Sequence, residues 1–335
     1  MRATIALDAM GGDRAPDAIV AGAVLAAREC DVAVRLVGDL IAVETALAAH
    51  HGASGLPVTI EHAPDVVGMD ETPLAALRRK PQASIAVACD AVASGRAHAV
   101  VSAGHTGATL IAALAALGRA PGVDRPALAV LIPTETGSAV LVDAGANVEC
   151  RAEHLVQFGA MGSAYARVAL GRATPAVGIL SIGEEAGKGT DIVRDAHAGL
   201  AAAPLHFIGN VEARDIFSGS ADVVVCDGFT GNVVLKVGEA AAAMFTRMLR
   251  RELHRAGSTG GATTEAAIDH VRARVDDEAR GAAPLLGVNG LVLVAHGRSS
   301  PQAIRNAIDL AATLVEAGFV SQMTAALAAR FPSTS

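Results

Sequence analysis

Tryptophan is absent from this 335-residue chain, tyrosine occurs once, and aromatic residues make up only 2% of it. Its core must therefore be assembled from Val, Ile, Leu and Ala, which suits helices packed closely on a parallel sheet. The same scarcity leaves no aromatic platform on which bases could stack. A net charge of −7 further disfavours nucleic acid as a partner. The four cysteines, Cys30, Cys89, Cys150 and Cys226, are far apart and form no Cys-x-x-Cys pair. Buried thiols in a cytosolic protein are expected, rather than a disulfide framework or a zinc site. The longest apolar stretch, Ala108 to Leu117, is far short of the roughly 20 residues that cross a bilayer. Asp8 interrupts the start of the chain, which lacks the charged-then-apolar order of a signal peptide. A cytoplasmic protein follows, one that can still touch the inner face of the membrane peripherally.

Several catalytic signatures are also missing. No Gly-x-Gly-x-x-Gly follows a strand pattern, which removes the dinucleotide fingerprint and disfavours an NAD-linked dehydrogenase. Gly183 to Thr190 imitates a P-loop but is one residue short and has Gly189 after Lys188. There is no Gly-x-Ser-x-Gly elbow for a serine nucleophile. No histidine or cysteine spacing suggests a metal, and no cofactor is expected. None of the 11 histidines is followed five residues later by Asp, the pair used by membrane glycerolipid acyltransferases.

What is present is a regular alternation of strand and helix patterns. Short apolar runs at Thr4–Leu7, Val32–Val37, Leu56–Glu61, Ala99–Val101, Val177–Ile182, Leu205–Ile208, Val223–Cys226 and Leu291–Ala295 alternate with alanine-rich helical stretches. Ala127–Ile132 and Ala139–Val142, joined by a short polar connector, predict a hairpin and therefore a mixed sheet. The pattern predicts an α/β fold: a doubly wound three-layer αβα sandwich on a mixed, mostly parallel sheet. One catalytic domain over residues 1–331 is expected, with a protruding helical region at about 245–285 and a short tail at 332–335.

In such sheets ligands bind beyond the carboxyl ends of the strands. Six loops with Gly, Asp, Asn and Thr lie at those ends, after Leu7, Val101, Val142, Ile182, Cys226 and Ala295. They supply the candidate phosphate- and substrate-binding residues. These are Asp8, Gly11, Gly12 and Asp13; Gly104, His105, Thr106 and Gly107; Asn147; Gly187 and Gly189; Asp227, Gly228, Thr230 and Gly231; and His296. Gly228 to Asn232 reads as a tight loop between a strand and a helix starting at Val233, its N–H groups aimed at one spot as in anion sites. Lys188, flanked by glycines, can approach a ligand closely. A set of backbone donors, carboxylates, a lysine, asparagines and a histidine can bind phosphate and stabilise an oxyanion without a covalent enzyme intermediate. Arg78, Arg79 and Lys80 are either a solvated face or a contact for an acidic ligand.

The chain resembles the bacterial phosphate acyltransferases, the acyl-ACP:phosphate transacylases of phospholipid synthesis. The resemblance is carried by Asp8-Ala-Met-Gly-Gly-Asp13, Arg78-Arg79-Lys80, Ser102-Ala-Gly104, Thr106-Gly107, Asp143-Ala-Gly-Ala-Asn147, Glu153-His-Leu-Val-Gln157, Met161-Gly162-Ser163, Ile208-Gly-Asn-Val-Glu-Ala-Arg214, Asp227-Gly-Phe-Thr-Gly-Asn232 and His296-Gly297. It implies a fold similar to phosphate acetyltransferases and the isocitrate dehydrogenase group, and a homodimer. It also implies transfer of a fatty acyl group from acyl carrier protein to inorganic phosphate, and a functional link to a membrane glycerol-3-phosphate acyltransferase. Lys188 and Asn232 are the positions it marks as catalytic. The chain departs from the family pattern at His105, Thr190 and Arg298 to Pro301, and has no lysine in its last strand. An acyl-CoA donor and a non-catalytic scaffold are the alternatives.

Beyond Asn232 the helix turns amphipathic. Phe245, Met248, Leu249 and Leu253 share a face, with Arg247, Arg250, Arg251 and Arg255 around them. That face suits acidic carrier protein, an anionic membrane, or packing on the core or a partner subunit.

Overall fold

The computed structural model describes residues 2–255, 265–268, 271 and 281–328. Most of the protruding region expected at about 245–285, residues 256–264, 269–270 and 272–280, lies outside them, as does the expected tail at 332–335. The strands are β1 (Ala3–Asp8), β2 (Val32–Gly38), β3 (Val58–His62), β4 (Ala99–Ser102), β5 (Ala127–Thr134), β6 (Gly137–Val142), β7 (Ala176–Leu180), β8 (His206–Val211), β9 (Val223–Val225), β10 (Ala282–Leu286) and β11 (Leu291–Ala295). The helices are α1 (Asp17–Glu29), α2 (Leu40–Ala48), α3 (Pro73–Arg79), α4 (Ser84–Ala93), α5 (Thr106–Leu117), α6 (Ala152–Ala169), α7 (Asp191–Ala202), α8 (Gly228–Arg255), α9 (Pro301–Glu316) and α10 (Phe319–Ala328).

All these strands join one 11-stranded sheet in the order β3-β2-β1-β4-β11-β10-β5-β6-β9-β7-β8. β4, β9 and β11 are buried along their whole length, as expected of short aliphatic runs covered on both faces. Successive residues feed opposite cores: Ile5 and Leu7 pack with α1 and α9 residues on one face, while Ala6 packs with α4 and α5 residues on the other. The far half has the same layering, with α6 and α7 on one face and Ile132, Leu141, Ile216 and Val224 beneath α8 on the other. The doubly wound, mixed three-layer fold is thus present.

Two expectations are corrected. Residues 282–285, the end of the protruding helical region expected at about 245–285, lie in strand β10. This strand has no β-branched residue and contains Pro284, so its local pattern argues against a strand. It holds nonetheless because its neighbours on both sides supply antiparallel pairing, β11 through Ala282↔Ala295 and β5 through Leu285↔Leu128. The second correction concerns direction. Since β10 is antiparallel to both β11 and β5, and β5 is antiparallel to β6, the strands from β6 to β8 run opposite to β1–β4 and β11. The six loops therefore do not line one edge of a uniformly directed sheet.

No single helix among the described residues is long and apolar enough to cross a membrane.

Candidate functional site

The ends of β1, β4 and β11 are tied into one platform. Ser102 Oγ donates to Asp8 Oδ2 at 2.7 Å and in turn accepts the Gly104 N–H at 3.1 Å. Asp8 also accepts the Met10 N–H at 3.3 Å, and the Asp13 N–H donates to the Gly297 carbonyl at 2.8 Å. A Cβ on Gly11 would stand 2.6 Å from Asp8 Oδ2 and 2.7 Å from Gly104 N, so the two glycines let these loops touch. Gly12 adopts φ +111° beside the Gly297 carbonyl, a conformation that L side chains rarely adopt. Burial raises the Asp8 pKa, while hydrogen bonds from Ser84 and Ser102 oppose the shift. His105 caps α5, its Nδ1 accepting the Gly107 N–H at 3.1 Å. Thr106 and Gly107 form the first turn of α5, whose N-terminus carries positive potential.

On the opposite half, Asp143 is fully buried at the end of β6. Its Oδ1 accepts the N–H groups of Leu128, Gly145 and Ala146 at 2.9, 3.1 and 3.0 Å. Its Oδ2 accepts the backbone and side-chain N–H of Asn147 at 2.7 and 2.8 Å. Burial pushes this carboxyl's pKa up, and the donors pull it back. Asn147 also donates to the Pro126 carbonyl at 2.7 Å, so its amide group helps to shape the loop.

The stretch Gly228–Asn232 is not a loop but the first turn of α8. Asp227 supplies the reason: Oδ1 accepts the Thr230 N–H at 2.8 Å and Oδ2 the Thr230 hydroxyl at 2.7 Å, an N-cap that starts the helix five residues earlier than its hydrophobic period suggests. The Gly228 N–H donates to the Asn147 carbonyl of the β6 loop and the Gly231 N–H to the Asp227 carbonyl, so these two donors are already paired. Asn232, one position on, has an exposed side chain.

The two halves meet at a cavity of about 300 Å³. Gly104, Thr106, His296 and Gly297 line it from the platform, Ala144 from the β6 loop, and Asn232, Lys236 and Glu239 from α8. Lys236 and Glu239 escaped sequence reading. Lys236 Nζ lies 3.3 Å from Glu239 Oε2 and 3.4 Å from His296 Nε2. Their spacing from Asn232 was the available signal, since positions 232, 236 and 239 share one face of a continuous helix. It was hidden by reading 228–232 as loop.

Lys188 is exposed on the loop after β7, flanked by Gly187 and by Gly189 at φ +99°. That loop contributes no residue to the 300 Å³ cavity. It does leave the sheet next to the start of α8, because β7 and β9 are neighbours paired Ile179↔Val225. Of the three consecutive cations, Arg79 and Lys80 bind Glu71 at 3.0 and 2.5 Å, and Lys80 also donates to the Val66 carbonyl at 2.7 Å.

The cysteines are all free. Burial raises the Cys89 thiol to about 12 and the Cys150 thiol to about 11, and pushes Cys226 well above the usual thiol range. These three are held as thiols at neutral pH and are poor nucleophiles. The apolar face of outer α8 is open: Phe245 is 63%, Met248 54% and Leu249 51% exposed. Arg247 and Arg251 are exposed beside it, Arg250 lies 3.5 Å from Glu265, and Leu253 is half-buried.

Residues 3–322 match the family described as "Fatty acid synthesis protein". The chain is 49% identical over 315 residues to a phosphate acyltransferase of Nitratidesulfovibrio vulgaris, covering 93% of this chain and 91% of that one. It is 48% identical over 319 residues to the phosphate acyltransferase of Heliobacterium modesticaldum, covering 95% of each. Its fold is similar to a phosphotransacetylase from Streptococcus pyogenes, with a TM-score of 0.65 at 19% identity and 94% of each chain covered. It is also similar to 4-hydroxythreonine-4-phosphate dehydrogenase from Klebsiella pneumoniae, with a TM-score of 0.51 at 13% identity, covering 94% of this chain and 98% of that one. Near-complete coverage at this identity makes the chain an acyltransferase that belongs to the phosphate acyltransferase family of fatty acid synthesis proteins.

Proposed function

We propose that this enzyme transfers a long-chain fatty acyl group from acyl carrier protein to inorganic phosphate, giving an acyl phosphate for phospholipid synthesis. The observation that carries the reading is the cavity in which Asn232 and Lys236 on α8 face Thr106 and His296 at the ends of the opposing strands. A phosphate oxygen attacks the thioester carbonyl carbon, the carbonyl oxygen becomes a tetrahedral oxyanion, and the C–S bond then breaks to release the thiolate. Phosphate is partly dianionic near neutral pH and a thiol has a pKa of roughly 8.5, so neither partner needs strong acid–base help. The enzyme's task is to bring the partners together and hold the oxyanion. In this reading the α5 N-terminus and Lys236 attract phosphate, Asn232 donates to the oxyanion, and Lys188 is a second cation brought in from the loop after β7.

Purified enzyme incubated with acyl-ACP should form acyl phosphate only when phosphate is present. Product from acyl-CoA alone would replace the donor, and no product from either would overturn the reading. Lys236→Ala should raise the phosphate KM by roughly 10–100-fold, the loss of one charge-assisted hydrogen bond. An unchanged phosphate KM would remove Lys236 from the site.

The reading extends to the arginine-flanked face of outer α8, which we assign to acidic carrier protein or anionic lipid at the membrane where a glycerol-3-phosphate acyltransferase consumes the product. A homodimer forms part of the same reading. In co-sedimentation with anionic liposomes, Leu249→Glu should leave the pellet that the unsubstituted protein joins. Equal pelleting of both would count against direct membrane contact.

A further inference from the structure

The loop that carries Lys188 is anchored by a buried amide on β8. Asn210, only 8% exposed, donates to the Gly183 carbonyl at 3.1 Å and to the Glu185 carbonyl at 2.8 Å through the same Nδ2. Two carbonyl acceptors fix which end of the amide faces the loop, so Oδ1 accepts from His197 Nδ1 on α7 at 2.9 Å. The His197 ring in turn packs edge-on against Phe207. The Glu185 carbonyl also accepts the Lys188 N–H at 2.9 Å, so Asn210 and Lys188 share one acceptor. A Cβ on Gly183 would stand 2.9 Å from Lys188 Cγ, which places the lysine stem directly over the anchored glycine. Two arginines hold the loop further: Arg214 donates to Glu184 at 2.6 Å and Arg194 to the Gly189 carbonyl at 2.8 Å.

Residues 184–188 are themselves exposed, and water can satisfy the backbone of an exposed loop without a buried amide. Such an anchor is needed where one side chain of the loop has to be held in place. β7 pairs in parallel with both β8 and β9, so the ends of all three open on one edge of the sheet. The Lys188 loop there lies between Asn210 and the start of α8. We infer that Asn210 is a positioning residue for the proposed acyl transfer. Its amide fixes the backbone under Lys188, and His197 fixes the amide, so the cation enters the reaction already placed. Misplacing a reacting or binding group by about 1 Å can slow a reaction by roughly 100-fold. The inference rests on the reading of Lys188 as a second cation. It also accounts for Asn210 and Arg214 within the Ile208–Arg214 stretch of the sequence, none of which lines the 300 Å³ cavity.

The test is a double-mutant cycle on acyl-phosphate formation, with a melting curve for each protein. Asn210→Ser removes the two anchoring bonds and should lower kcat/KM for phosphate by roughly 10- to 100-fold. In a Lys188→Ala background the same substitution should cost less than about twofold, because the cation it places is gone. His197→Leu keeps an apolar contact with Phe207 but leaves the amide free to turn, and should lose activity several-fold. His197→Gln can still donate to Asn210 and should recover most of that loss. Coupling of Asn210 to Lys188, with recovery in His197→Gln, supports the inference. A merely structural anchor would lower the melting point and slow the Lys188→Ala enzyme as much as the parent, a result that would overturn it. If Asn210→Ser does not fold, the His197 pair decides: parent activity in His197→Leu, or equal losses in both variants, would also overturn it. Parent activity in Lys188→Ala would remove the second cation from the proposed function and the inference with it. A slow Lys188→Ala beside an unimpaired Asn210→Ser would overturn the inference alone.

Discussion

Asn232→Ala should lower the rate of acyl-phosphate formation by about 10²- to 10³-fold, the usual effect of removing a single oxyanion donor. Asn232 is exposed on the first turns of α8 and faces the cavity between the two halves of the sheet. Its removal should therefore change stability by no more than about 0.5 kcal/mol. Single-turnover kinetics and a melting curve on the same preparation check both statements. Lys188→Ala belongs in the same experiment, because Lys188 stands on the neighbouring loop while Lys236 lies inside the cavity. A rate loss in Lys188→Ala with intact fold would support the second cation. Wild-type rates in both Asn232→Ala and Lys188→Ala would sink the catalytic assignment.

Gly231→Ala should be the most damaging small substitution in the site. An added Cβ would lie 1.9 Å from the Asp143 carbonyl oxygen, a backbone atom that cannot rotate away. Asp143 itself is held by Leu128, Gly145, Ala146 and Asn147, so the loop cannot yield without breaking several buried hydrogen bonds. The first turn of α8 must move instead, which we expect to cost about 3 kcal/mol or more. Activity should fall with it, because Asn232 is carried on the displaced turn. Gly187→Ala is the control, since a Cβ there meets nothing within 4 Å, and its thermal midpoint should match the parent protein. Equal midpoints for Gly231→Ala and the parent would show that α8 is not clamped on the β6 loop.

The strands that carry the site were legible because each is a short aliphatic run buried on both faces and ended by glycine or a polar residue. β4, β9 and β11 illustrate this, and the β5–β6 hairpin followed from its short connector. The misreadings have physical causes. Asp227 and Thr230 close a cap whose strength depends on side-chain geometry, so α8 begins at Gly228 although its apolar period starts at Val233. β10 lacks β-branched residues and includes Pro284, and it is held in the sheet by pairing with β11 and β5. Lys236 and Glu239 stand out only by their spacing from Asn232 on a helix that begins at Gly228; with 228–232 read as a loop they resemble any solvated lysine and glutamate on a helix surface.

By itself the sequence determined the fold class, the positions of the glycine-rich strand ends and the kind of chemistry they allow, since hydrophobic period, turn residues and missing motifs are all local properties of the chain. Only the tertiary structure decided which ends meet. The reversal of direction through β10 and β5 sets one half of the sheet against the other. It brings Lys236 to 3.4 Å from His296, 60 residues further along the chain. The seating of the first turn of α8 depends likewise on contacts made at a distance, the Gly228 N–H donating to the Asn147 carbonyl of the β6 loop. Strand direction in a mixed sheet is a property of pairing partners, which no single segment contains.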